Sequence, residues 1–180
     1  RACGVAGEMK HAINALRKMQ SPDLVVVNAF LDACYRCNRH GLVVDTFNYY
    51  FLQQANKFNL RPDVITYTAL VNSVLRRGDV YGLREAQSLY ISMKKKWSLL
   101  PDPGIVDALL KAVIRVARKN ILAKKDILFV ASVLRDAEKL KWEEDQLVRR
   151  KAAITSILGD RLRETILGDQ KLTNMLVADT

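Results

Sequence analysis

The chain has 180 residues, 49% of them apolar, and a formal net charge of +10. That much apolar material excludes a disordered tail, and the positive balance favours an acidic partner: nucleic acid, anionic lipid or an acidic protein face. Three cysteines (Cys3, Cys34, Cys37) argue against a disulfide framework, and no apolar run reaches the roughly 18 to 20 residues of a membrane-spanning helix. The chain starts at Arg1 rather than Met and is expected to be processed, truncated or partial, with a removed targeting peptide as one route.

The first segment, GEMKHAINALRKM, places Met9, Ala12, Ile13, Leu16 and Met19 at helical spacing. It reads as the second helix of an incomplete unit over 1–22. Pro22-Asp23 follows, and then LVVVNAFLDACYRC. The run Val25 to Val27 is β-branched and alone would suit a strand, but its continuation is too long and too helix-periodic for one. Proline ends the preceding element, and Asp accepts a bond from a free N–H at the start of the next. After His40-Gly41 the segment VVDTFNYYFLQQANKF is expected to be a second helix, closing a unit over 23–62.

Pro62-Asp63 restarts the pattern. VITYTALVNSV aligns without gaps on the earlier segment: Ile65 on Val25, Tyr67 on Val27, Thr68 on Asn28, Ala69 on Ala29, Val71 on Leu31. Gly78 and Gly82 are expected to bracket a turn. LREAQSLYISMKKKW then carries Leu83, Ala86, Leu89, Tyr90 and Met93 on one helical face, completing a unit over 63–102. Pro101-Asp102 is the third such dipeptide. Three of the four prolines thus recur at intervals of 40 and 39 residues, the signature of stacked repeats. Residues 103–145 read as a diverged unit. Its first helix carries Ile105, Ala108, Leu109, Val113 and Val116, and KKDILFVASVLRDAEKL is its partner. Residues 146–180 read as a helical cap, and Trp97 and Trp142 as seals at hairpin ends. One hairpin cannot bury its own apolar face, so the expected fold is all-α: a right-handed α-solenoid of antiparallel hairpins, an α–α superhelix with a concave face.

RPDVITYTALVNSVLRRGD, with LREAQSLYISMKKK and the following Pro-Asp, resembles the pentatricopeptide repeat family. The resemblance is densest over 63–102, good over 23–63 and partial over 3–23. Tetratricopeptide repeats would place Trp, Gly and Tyr near the start of the first helix, which this chain does not. The units are longer than the family's usual 35 or so residues, and the extra length is expected at the inter-helix turns, Cys37 to Val43 and Arg77 to Gly82.

The resemblance implies a one-base-per-repeat code read by two or three side chains. The implied readers are Asn28 with Asp63, preferring uracil, and Thr68 with Asp102, preferring guanine. Val25 and Ile65 fall where the family sets an apolar wedge between bases. Asp107 has no clear partner, and Gly104 replaces the wedge. The plain structural alternatives are helix caps for Asp23, Asp63 and Asp102, surface positions for Asn28 and Thr68, and core for Val25 and Ile65. Lys94, Lys95, Lys96, Arg149, Arg150 and Lys151 are possible phosphate or acidic-surface contacts, or simply solvated helix ends.

Cys34-x-x-Cys37-x-x-His40 lacks a fourth zinc ligand at any standard spacing, so a structural Cys34 is expected and no metal or other cofactor. His11 and His40 have no nucleophile partner, and there is no phosphate-binding glycine loop, so no catalytic activity is expected. The acids of WEED at 142–145 lie on one turn without a second acidic site. Two function classes remain. One is non-catalytic binding of single-stranded RNA in a chloroplast or mitochondrion, the compartments the resemblance implies. The other is a protein–protein scaffold within a large organellar assembly, such as a ribosome or a photosystem–antenna supercomplex, with peripheral membrane docking open and no span. Two repeats read about two bases, at roughly 1–3 kcal/mol of stacking each, which favours weak RNA binding or the scaffold.

Overall fold

The structure, a computed structural model, describes residues 9–119, 121–140 and 145–161. It is all-α, with no strand among the described residues. In chain order the helices are α1 (Met9–Lys18), α2 (Leu24–Arg36), α3 (His40–Phe47), a π-helical segment (Asn48–Gln53), α4 (Ala55–Phe58), α5 (Val64–Leu75), α6 (Val80–Lys96), α7 (Pro103–Ala117) and α8 (Lys124–Lys139), then α9 over 145–161. No helix among the described residues is long and apolar enough to cross a membrane.

The Pro-Asp dipeptides do what their chemistry dictates. Asp23 accepts from the Val26 N–H at 2.8 Å, Asp63 from Thr66 at 2.8 Å and Asp102 from Ile105 at 2.7 Å. Each carboxylate satisfies a donor that the first turn of a helix leaves open. Pro22, Pro62 and Pro101 are buried beside them. The first helices end with equal definition. Asn38 follows α2 at φ 57° and Gly78 follows α5 at φ 71°, left-handed positions that Asn and Gly enter at low cost.

The described residues form two compact units. The first holds those within 9–77 and 88–101, the second those within 78–87 and 102–161. Helix α6 contributes its first half to the second unit and its second half to the first.

In the first unit α2 packs on α1, α3 and α5, and α3 also packs on α5. Val27, Leu31, Val43, Phe51, Leu70, Val71 and Met93 form its core. Phe47 meets Tyr67 edge-on at 5.4 Å, a geometry aromatic quadrupoles favour. The Tyr67 hydroxyl lies 3.3 Å from that of Ser92. Thus the run Val25 to Val27 is helical because Val27, Leu31 and Cys34 fall on one buried face.

In the second unit α7 packs on α8, and Leu109, Val113, Ile127 and Val130 are buried. Asp126, 1% exposed, takes both Arg84 Nε at 3.2 Å and Nη2 at 3.0 Å, and the Ala123 N–H at 3.0 Å. One acid therefore ties the start of α6 to the start of α8. Helix α9 is held by Arg150 on Asp107, Lys151 on Glu138, and the Arg161 guanidinium on the Leu122 carbonyl.

Three expectations need correction. The inter-helix turns are short, Cys37–Arg39 and Arg76–Asp79, so they do not hold the extra length. Gly82 lies inside α6 instead of in a turn, because Asp79 caps that helix by accepting the Gly82 N–H at 2.7 Å. The second helix of the 23–62 unit is not one regular helix. It passes through the π-helical segment, and Phe47, Tyr50 and Phe51 along it are buried. Trp142, most of WEED, Cys3 and the cap beyond 161 lie outside the described residues.

Candidate nucleic-acid interface

Two of the predicted readers meet directly. The Asn28 side chain, one turn into α2, donates from Nδ2 to Asp63 Oδ1 at 3.1 Å, with Oδ2 at 3.3 Å. Asp63 is the N-cap of α5, so cap duty and contact with Asn28 fall on the same carboxylate. The capped end of α5 therefore abuts the second turn of α2, and the 35 residues between the two side chains in sequence close to hydrogen-bond distance.

The other side of the amide is held too. Thr66 Oγ1 donates to Asn28 Oδ1 at 2.7 Å and lies 2.8 Å from Asp63 Oδ1, while accepting the Asp63 N–H at 3.1 Å. Thr66 is fully buried, whereas Asn28 and Asp63 are half-buried. Both carboxylate oxygens lie near the same amide nitrogen, so one N–H serves them. The second N–H and one lone pair of Oδ1 remain for a ligand.

Thr68 and Asp102 fall in different compact units. Thr68 is half-buried, and its hydroxyl donates to the Val64 carbonyl one turn back at 2.8 Å. With its proton committed there, the oxygen offers only lone pairs outward. Asp102 caps α7 through Ile105.

Val25 is 75% exposed and Ile65 64% exposed, so neither belongs to the core. They occupy the same register of two packed helices, three residues before Asn28 and Thr68. Side chains three apart share a helix face. Within the first unit this puts an apolar and a polar side chain together on each of two neighbouring helices.

The cationic candidates divide. Lys94 lies over the Tyr90 ring at 5.5 Å and Lys96 over Trp97 at 5.2 Å, while Lys95 is exposed. Arg149 is exposed. Arg150 pairs with Asp107 at 3.0 Å, and Lys151 with Glu138, so their charges are partly committed to holding α9. Asp107 also pairs with Lys111.

Cys34 is buried, and desolvation, reinforced by the nearby Cys37 thiol, pushes its own thiol up to about 12. It stays protonated at neutral pH. Burial, and then the charge of Arg76, lower His40 below its ordinary value.

Two features escape a reading of the sequence. Thr66 is one, although Asp-x-x-Thr at a helix start is a capping-box signal. The other is a cleft of about 750 Å³ in the first unit, lined by Arg17, Lys18 and Lys57 with Tyr49, Tyr50 and Phe58. Its residues come from separate helices, and no single motif joins them.

A scan against protein-family models finds no match for this chain, and a search of curated proteins finds none either.

Proposed function

We propose that the chain is a non-catalytic helical-repeat protein of the pentatricopeptide type that contacts single-stranded RNA through α2 and α5. The observation that carries the reading is the Asn28–Asp63 hydrogen bond beside exposed Val25 and Ile65. An amide held at a helix junction next to an apolar side chain is a place for one base. The apolar group stacks, and the amide meets the Watson–Crick edge. Asn28 keeps one donor and one acceptor, which suits uracil. Thr68 keeps only acceptors, which suits the N1–H and N2–H donors of guanine. The stacking of hairpins into a right-handed solenoid belongs to the same reading, as does location in a chloroplast or mitochondrion.

The net charge of +10 supplies the general attraction to phosphate. Affinity for a short single strand should therefore be modest and should fall linearly with added salt on logarithmic axes. Replacing Asn28 and Thr68 together by alanine should flatten the preference for a uracil–guanine step by about tenfold, the worth of one to two hydrogen bonds, and leave the helical circular dichroism unchanged. Fluorescence anisotropy with matched and mismatched oligonucleotides measures this. No salt-dependent binding by the wild-type chain would contradict the reading and favour a protein scaffold.

A further inference from the structure

We infer that Thr66 is a positioning residue that locks the Asn28 amide in one orientation and so lets this site separate uracil from cytosine. The inference rests on the single-stranded RNA reading above.

A primary amide is nearly symmetric in shape but opposite in chemistry at its two ends. Uracil offers an N3–H donor beside the O4 acceptor, and cytosine offers the N3 acceptor beside the N4–H donor. A free Asn side chain satisfies either base by turning over, because the turn exchanges N–H for C=O. Selection between the two pyrimidines therefore requires that the turn be forbidden.

Asn28 is held at both ends. Asp63 only accepts and faces Nδ2 at 3.1 Å; turned over, the amide would set its oxygen against that carboxylate. Thr66 Oγ1 faces Oδ1 at 2.7 Å. Oγ1 accepts the Asp63 N–H at 3.1 Å, which turns its one proton toward two acceptors, Asn28 Oδ1 at 2.7 Å and Asp63 Oδ1 at 2.8 Å, the shorter contact being the one to Asn28. Full burial of Thr66 keeps water from replacing this bond. The lock is local to this junction. The equivalent third residue after Asp23 is Val26, and after Asp102 it is Ile105; neither carries a hydroxyl.

The test uses the full chain and two short single-stranded RNAs that differ only by uracil or cytosine at the tested step. Wild type and Thr66→Ser are expected to prefer uracil. Thr66→Val should contract the ratio of dissociation constants about three- to tenfold, one hydrogen bond's worth, mainly by gaining affinity for cytosine. In the free protein, the Asn28 side-chain amide resonances should become more mobile in Thr66→Val and not in Thr66→Ser. Thr66→Ala is a second hydroxyl-free variant in case the valine substitution does not fold, and circular dichroism checks each. A wild-type ratio retained by folded Thr66→Val or Thr66→Ala overturns the inference and leaves the RNA reading standing. Wild-type chain that binds neither oligonucleotide overturns the RNA reading and the inference with it.

Discussion

Replacing Val25 and Ile65 together by alanine is expected to weaken binding of a uracil–guanine single strand by about ten- to a hundredfold without destabilising the protein. Stacking sets the size of the effect. A base resting on a side chain gains roughly 1–3 kcal/mol, and truncation removes much of that at two steps. The stability forecast follows from exposure. At 75% and 64% exposed, the two side chains contribute little to the core. Alanine is also the better helix former, by a few tenths of a kcal/mol at each position. The melting midpoint should hold or rise slightly while affinity falls. Titration and thermal melting of one sample separate the two effects. Unchanged affinity in the double variant would remove the wedge from the account.

Asp126→Ala should have the largest effect on stability. Its carboxylate is buried and holds the Arg84 guanidinium through both oxygens, and it also accepts the Ala123 N–H at the start of α8. Removing one partner of such a pair costs about 3–5 kcal/mol. Arg84 reaches solvent and can rehydrate, which places the expectation at the lower end, about 3 kcal/mol. For a chain of this size that lowers the melting midpoint by roughly 6–12 °C. Asp126→Asn preserves shape and the cap but loses the charge, and it should fall between the two. A thermal melt of Asp126→Ala that overlays wild type would show that neither the pair nor the cap supports this unit.

The helices are legible in the sequence because their punctuation is local. Pro22-Asp23, Pro62-Asp63 and Pro101-Asp102 each stop one helix and cap the next, and a gap-free alignment of two segments exposes the repeat. Register places Asn28 a turn inside α2 and Asp63 at the head of α5, but joining them as a pair comes from the resemblance to pentatricopeptide repeats. What escapes depends on packing. Thr66 reads as an ordinary helix threonine until α2 brings Asn28 against it, across 38 residues of sequence. The role of Arg150 in holding α9 is hidden because Asp107 is 43 residues away. The π-helical segment is not legible in the sequence, since Phe47, Tyr50 and Phe51 stand at the i, i+3, i+4 spacing of an ordinary α-helix. Gly82 misleads because glycine ordinarily signals a turn, whereas here Asp79 has already supplied the cap.

Photocrosslinking of a single strand bearing one thiouridine, with the joined peptide mapped by mass spectrometry, tests the proposed contact most directly. The expected attachment lies in the first turns of α2 and α5, at or beside Val25, Asn28, Ile65 and Thr68, and it should weaken as salt is raised. Attachment confined to the aromatic cleft around Tyr49 and Phe58, or no attachment at low salt, would contradict it.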